Sequence, residues 1–314
     1  MTAPAMVITF LGTGSGVPTL ERNLACVAVR RQGELFLFDC GEAAQVQYRR
    51  AGLGFAPLRA IFISHLHGDH VTGLLGLLMS LQMADRQDPV DVYGPPGVAD
   101  YVHANQRLLG TGFGYAIRFH EADDARVLLA ADDFAIRCRP LEHRRFCLGF
   151  RFEEKPRPGR FSLERARELG VPEGPLFGRL HRGEPVEVDG RVVRPEDVVG
   201  AARPGRTIVY TGDTRPLAAT ADIARDADLL IHDATFGEDE ADRAAATGHS
   251  TAREAASIAR QAEARRLCLT HISSRYAENP RDLEKEARDV FRNSVVAYDG
   301  YEVEVPYRHD DDAA

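Results

Sequence analysis

Residues 60–84 read AIFISHLHGDHVTGLLGLLMSLQMA, and this stretch decides the fold. AIFISH (60–65) is a short apolar run ending in histidine, the pattern of a buried strand. HVTGLLGLLMSLQMA (70–84) is apolar almost all round and predicts a helix buried on most sides. Between the two stands His65-Leu66-His67-Gly68-Asp69-His70. Alternate positions on an extended chain point the same way, so His65 and His67 can grip one metal ion. Gly68 lets the chain turn, and Asp69 and His70 then face the other side, where a second ion can sit. So many metal-ligand types packed together at a strand end make an ordinary polar loop a poor reading.

Working outward, the same alternation of strand, loop and helix continues on both sides. MVITFLG (6–12), LACVAVR (24–30) and ELFLFDCG (34–41) read as strands. Later, TIVYTGD (207–213), DLLIHD (228–233) and RLCLTH (266–271) read as strands, with helices expected near 216–225, 251–264 and 281–292. Three strand ends carry further ligand types: His143 after the strand at 134–140, Asp213 and His271. Together with HLHGDH they supply three ligands for each of two ions and one bridge. Asp213 suits the bridge because a carboxylate has two oxygens. Two such ions, about 3.5–4 Å apart, stabilise the attacking and leaving oxygens of a displacement, so the chemistry is hydrolysis. Histidine with carboxylate fits zinc or manganese. Asp39, in Asp39-Cys40-Gly41-Glu42 after an apolar strand, reads either as a ligand or as part of a plain strand-to-helix turn, and Cys40 as a small buried residue. GTGSG (12–16) lacks the lysine and glycine spacing of a phosphate-cradling loop, so no nucleotide cofactor is expected.

Composition sets the outer limits. The chain has 314 residues, 44% hydrophobic and 27% charged, ordinary for a globular α/β chain. Its longest apolar stretch, 74–83, is too short to span a bilayer, and the first residues lack the basic and apolar regions of a secretory signal. The five cysteines form no CxxC pair, which fits a reducing cytoplasm. Net charge is −8, against a generic nucleic-acid coat, yet residues 144–182 hold ten basic against five acidic side chains. Basic charge is therefore concentrated in one segment. That segment overlaps residues 153–188, which hold five prolines and five glycines and break the rhythm of strands and helices. They read as a long arm with one short helix near 162–169.

At this point the chain resembles the metallo-β-lactamase superfamily, and within it the ribonuclease Z family of tRNA 3′-processing endonucleases, over nearly its whole length. HLHGDH with the later His, Asp and His resembles the superfamily signature. FLGTGSGVPTLERN (10–23), GVPEGPLFGRLHRG (170–183), VYTGDTRP (209–216), LLIHDATF (229–236), GHST (248–251) and AYDG (297–300) resemble the narrower family's motifs. The resemblance implies a four-layer αββα sandwich with a protruding flexible arm. It divides the chain into a first half (1–152), an exosite arm (153–188), a second half (189–308) and a frayed tail (309–314). Two zinc ions per subunit are implied, one on His65, His67 and His143 and one on Asp69, His70 and His271, with Asp213 shared; manganese is an alternative. Asp69 is implied as proton acceptor and His249 as the group that protonates the leaving 3′-oxygen. Asp233 stands where the family has glutamate, one methylene longer, which predicts a weakened contact to His249.

The implied substrate is precursor tRNA, cut to leave a 3′-hydroxyl on the tRNA and a 5′-phosphate on the trailer. Gly174 and Pro175 in the arm, with Arg22 and Asn23 in the opening loop, are the implied RNA contacts. A cytoplasmic homodimer, with no membrane attachment, completes the expectation. Leu20 replaces a loop lysine of the family, which predicts weaker rejection of mature CCA ends. Two rivals share the metal signature: a hydrolase of a small ester or cyclic phosphodiester, and a non-catalytic RNA-binding paralogue.

Overall fold

The strand-rich opening folds as the alternation predicts. The structure, a computed structural model, describes residues 6–308. The tail expected at 309–314 lies outside the described residues. In chain order the first part runs β1 (Met6–Gly12), β2 (Gly14–Ser15), β3 (Cys26–Arg31), β4 (Glu34–Phe38), α1 (Ala44–Arg50) and β5 (Leu58–Phe62). It continues with α2 (Gly68–Met83), β6 (Val90–Gly94), α3 (Val98–Leu109) and β7 (Ile117–Glu121). After β8 (Arg126–Ala130), β9 (Phe134–Leu141) and β10 (Cys147–Glu154) come α4 (Leu163–Glu168), α5 (Pro175–His181), β11 (Val186–Val188) and β12 (Arg191–Val193). The chain then forms β13 (Thr207–Tyr210), α6 (Ala218–Ala224), β14 (Leu229–Asp233), α7 (Ala241–Thr247) and α8 (Ala252–Gln261). Last are β15 (Leu267–Thr270), β16 (Ile272–Ser273), α9 (Arg281–Arg288), β17 (Ser294–Val296) and β18 (Glu302–Val305).

Two seven-stranded sheets result, ordered β18-β1-β3-β4-β5-β6-β7 and β17-β15-β14-β13-β10-β9-β8. Alternation along the strands sorts the side chains into three cores. Ile8, Phe10, Phe36, Phe38 and Phe62 of the first sheet meet Phe134, Phe150, Phe152, Ile208 and Ile231 of the second. The opposite face of the first sheet packs Leu35, Leu37 and Ile61 against Leu74, Leu77, Leu78 and Leu81 of α2. Val209, Leu230 and Leu267 of the second sheet pack against Ala255, Ala256 and Ala259 of α8 and Leu283 of α9. Helix, sheet, sheet and helix are thus stacked, the αββα sandwich expected.

Phe36 marks how much the middle core contributes. Its ring meets Phe134 at 5.5 Å and Phe152 at 5.4 Å, both edge-on, and it is fully buried. Phe36→Ala is expected to cost about 3–5 kcal/mol through lost transfer energy and the cavity left behind. Urea unfolding checks this, and a midpoint unchanged from wild type would contradict the packing described.

α2 begins at Gly68, two positions earlier than the helix expected over 70–84. His67 is its N-cap in an extended conformation, and Asp69 and His70 occupy its first turn. The switch from extended to helical backbone at Gly68 is what swings Asp69 and His70 away from His65 and His67. The helix start is held close to β4: a methyl group on Gly73 would lie 1.9 Å from Gly41 O, so only glycine fits there.

Residues Glu154–Arg206, with Tyr307 and Arg308, form a second unit. The Pro/Gly-rich stretch 153–188 is therefore not the long loop its composition predicts. The unit carries α4, α5 and the hairpin β11–β12, closed around Ala166, Val171, Leu180, Val186, Val193 and Val198. The unit runs on to Arg206 because Val193 and Val198 complete that core. Arg206 and Glu154 form a buried ion pair at 2.8 Å, and the guanidinia of Arg157 and Arg206 lie 3.4 Å and 4.0 Å from the centre of the Tyr307 ring.

Candidate metal centre

Strand ends bring the expected ligands together. His65 follows β5, His143 follows β9, Asp213 follows β13 and His271 follows β15, while α2 supplies Asp69 and His70. His65, His67, His143 and Asp213 present ligand atoms within 4.8 Å of one another, and so do Asp69, His70 and His271. Asp213 is buried and turns its oxygens toward different groups. Its Oδ2 faces His65 Nε2 at 3.5 Å and His143 Nε2 at 3.8 Å. Its Oδ1 faces His70 Nε2 and His271 Nε2, both at 3.3 Å.

The surrounding hydrogen bonds fix which ring nitrogen points inward. Ser64 Oγ donates to Asp39, so its oxygen accepts from His65 Nδ1 at 3.0 Å. Thr235 Oγ1 donates to Asp233 and likewise accepts from His271 Nδ1 at 2.8 Å. His70 Nδ1 donates to Asp39 Oδ2 at 2.7 Å, and His143 Nδ1 donates to Gly248 O at 2.8 Å. Each of these four imidazoles therefore has its Nδ1 proton committed and an Nε2 lone pair aimed at the centre. His67 Nδ1 lies 2.9 Å from His65 Nε2 and 3.2 Å from His143 Nε2, and one proton cannot serve both. His271 reaches its place through a left-handed backbone, φ 60°, a strained conformation of the kind that collects at functional sites.

Such convergence fits divalent cations. Lone pairs facing lone pairs are repulsive until a positive charge stands between them, and buried Asp213 Oδ1 accepts no hydrogen bond. Burial, followed by repulsion from neighbouring histidines, lowers the pKa of His65 and His67, and burial also lowers that of His143; this favours the neutral form that ligates. Burial pulls His70 down as well, yet Asp213 and Asp39 raise it well above the usual imidazole range. The pocket's field there draws a positive charge. Asp69 is held well below the usual carboxylate range: burial raises it, but His271 and His70 outweigh that. Its Oδ2 also accepts from Gly16 N at 2.8 Å, a tie from the opening loop that no local pattern announces.

His249 stands beside this cluster, 14% exposed, its ring 5.2 Å from that of His271. Contrary to the expectation from side-chain length, Asp233 reaches it, with Oδ2 3.0 Å from His249 Nδ1. The shorter carboxylate is carried close enough by the chain and fixed by Thr214 N, Thr235 N and Thr235 Oγ1. Those bonds hold the Asp233 carboxylate beside His249, and the two also group with Asp213 and His271, their ligand atoms all within 4.8 Å of one another. Burial lowers the His249 pKa, but Asp233 more than offsets this and pushes it up to about 9. Thr251 caps α8, its Oγ1 accepting from Glu254 N at 3.1 Å, so His249 has no capping duty. Arg215 holds the loop by donating to His249 O and pairing with Glu254 at 3.0 Å.

The opening loop is tied down from within. Arg22, expected to contact RNA, is 3% exposed and donates to Thr13 Oγ1 and Ala297 O, each at 2.7 Å. Asn23 donates its backbone and side-chain N–H groups to Asp299 Oδ2 at 2.6 Å and 2.8 Å. Both residues pin the loop from within, and the Nε of Arg22 is buried without a hydrogen-bond partner. Leu20 is fully exposed. In the second unit, Gly174 precedes α5 with φ 142°, which favours glycine, and Pro175 begins the helix.

Sandwich and site together define a member of the beta-lactamase superfamily. The family model described as beta-lactamase superfamily domain matches residues 182–272, and that of the anti-Pycsar protein Apyc1 matches residues 6–114. The chain belongs to the ribonuclease Z family. Ribonuclease Z of Haloferax volcanii is 51% identical over 309 residues, covering 98% of this chain and 97% of its own. Ribonuclease Z of Myxococcus xanthus is 48% identical over 303 residues, covering 96% and 98%. The crystal structure of the short form of human tRNase Z superposes with a TM-score of 0.70 at 28% identity, covering 96% of this chain and all of that one.

Proposed function

We propose that this chain is a metal-dependent endoribonuclease that removes the 3′ trailer from precursor tRNA. The observation that carries the reading is the convergence of the seven ligand-type side chains in a chain about half identical to ribonuclease Z relatives. His65, His67 and His143 would hold one ion, and Asp69, His70 and His271 the other, with Asp213 between them. Zinc suits this nitrogen-rich set, and manganese is compatible with it. Bound there, two divalent cations supply Lewis acidity, activating a water and neutralising charge on the phosphoryl oxygens.

The remaining work belongs to the chain. Asp69, fixed by Gly16 N–H and too weakly basic to be an effective proton acceptor, orients the attacking water. His249 has Nδ1 engaged by Asp233, which leaves Nε2 to donate a proton to the departing 3′-oxygen. Attack by water makes the RNA 2′-hydroxyl unnecessary and leaves a 3′-hydroxyl on the tRNA and a 5′-phosphate on the trailer. The second unit, with Gly174 and Pro175, grips the tRNA. Its exposed Arg165, Arg167, Arg179 and Arg182 pair with Glu168, Glu173 and Glu184, carboxylates that phosphates can replace at little cost. The reading includes a homodimer and a cytoplasmic location, the latter supported by five free, buried cysteines. Among the described residues, no helix is long and apolar enough to cross a membrane.

Incubation of a 5′-labelled precursor tRNA with metal-loaded protein tests the reading. The expected product ends just after the discriminator nucleotide and carries a 3′-hydroxyl. Failure on precursor tRNA combined with turnover of a cyclic phosphodiester overturns it in favour of a small-substrate hydrolase.

A further inference from the structure

The loop between β9 and β10 reads Glu142-His143-Arg144-Arg145-Phe146, and only His143 is taken up by the metal centre. Both arginines are exposed. Among the described residues neither guanidinium has an ion pair or hydrogen bond, and Glu142 is the loop's one carboxylate. Phe146 is 43% exposed, a large aromatic left in solvent beside a polar site. The loop is nevertheless held at both ends. Glu142 O accepts from Arg215 N at 2.8 Å, and Leu148 N donates to Ser64 O at 2.9 Å. It also packs on the segment bearing His249: a methyl group on Gly248 would lie 3.0 Å from Arg144 N and 3.2 Å from Arg144 Cγ.

Two unneutralised cations and an exposed aromatic ring, on a fixed loop between His143 and His249, match the chemistry of single-stranded RNA. Arginine takes phosphate, and an aromatic face stacks on an unpaired base. We infer that Arg144, Arg145 and Phe146 form a nucleotide subsite that holds the RNA immediately 5′ of the scissile phosphate, the arginines on its backbone and Phe146 on its base. The side follows from Gly248: Arg144 packs against the segment whose His249 faces the departing 3′-oxygen, which belongs to the last nucleotide of the tRNA. The inference rests on the precursor-tRNA reading and on that role of His249.

Steady-state cleavage of precursor tRNA by wild type, R144A/R145A, R144K/R145K and F146A tests it, with a small activated phosphodiester as second substrate. With R144A/R145A, KM for precursor tRNA is expected to rise roughly tenfold, and the slope of log affinity against log salt to fall by about 1.4, the value for two single-strand phosphate contacts. R144K/R145K should recover the slope, because charge is kept. F146A is expected to raise KM roughly tenfold on a normal substrate and to change nothing on one whose discriminator nucleotide is abasic. Turnover of the small diester should match wild type in all three variants. Unchanged KM and salt slope overturn the subsite, as does an equal loss on the small diester, which would mean that the loop merely supports His143. A wild-type protein that leaves precursor tRNA uncut overturns the functional reading itself, a result distinct from either.

Discussion

Replacing Asp213 by alanine is expected to abolish phosphodiester hydrolysis and to lower metal content from two equivalents to at most one. The reason is geometric. Its Oδ1 faces His70 and His271 while its Oδ2 faces His65 and His143, so one side chain completes both ligand groups. The neighbouring carboxylates are already engaged, Asp233 with Thr214, Thr235 and His249, and Asp39 with Ser64, His70 and Tyr210. The loss in kcat should exceed roughly a thousandfold, since charge stabilisation at a transferring phosphoryl group is worth several kcal/mol. Cys40→Ala is the control. Cys40 is fully buried, its thiol kept protonated by burial and by Asp39, so metal content and turnover should stay at wild-type levels. Metal analysis of Asp213→Ala showing two retained ions, together with normal turnover, would refute the bridging role.

Much of this site was legible in the sequence because its ligands come in a dense local cluster or close a recognisable strand. HLHGDH announces itself, and Asp213 and His271 end apolar runs that form β13 and β15 of one sheet. What escaped is set by partners remote in the chain. Arg22 in a glycine-rich loop reads as a surface cation, and its burial is decided by Ala297, 275 positions away. The length of the Asp233 side chain misled for the same reason: reach depends on where the backbone puts the Cβ, and three donors from Thr214 and Thr235 fix the carboxylate beside His249. The second unit was hidden differently. Ala166, Val171, Leu180, Val186, Val193 and Val198 share a core, but glycines, prolines and short elements separate them, so no helical or strand period accumulates.

That core also dictates how the unit must be removed. Cutting out only residues 155–183 would strand Val186, Val193 and Val198 without Ala166 and Leu180. The clean boundary is at Glu154 and Arg206, whose backbone bond (Glu154 N to Arg206 O, 2.9 Å) continues the antiparallel pairing of β10 with β13. Replacing residues 155–205 by Asn-Gly should therefore close a two-residue hairpin between strands already in register. The Glu154–Arg206 pair is retained. All metal-ligand candidates lie outside the deleted stretch, so hydrolysis of a small activated phosphodiester is expected to persist within a few-fold of wild type. Processing of precursor tRNA should fall at least roughly a hundredfold in kcat/KM, because backbone phosphate contacts supply much of RNA affinity. The salt dependence of the remaining binding should flatten as those contacts disappear. A shortened protein that still matures precursor tRNA at the wild-type rate would show that the unit does not grip RNA, and would return the small-substrate hydrolase to first place.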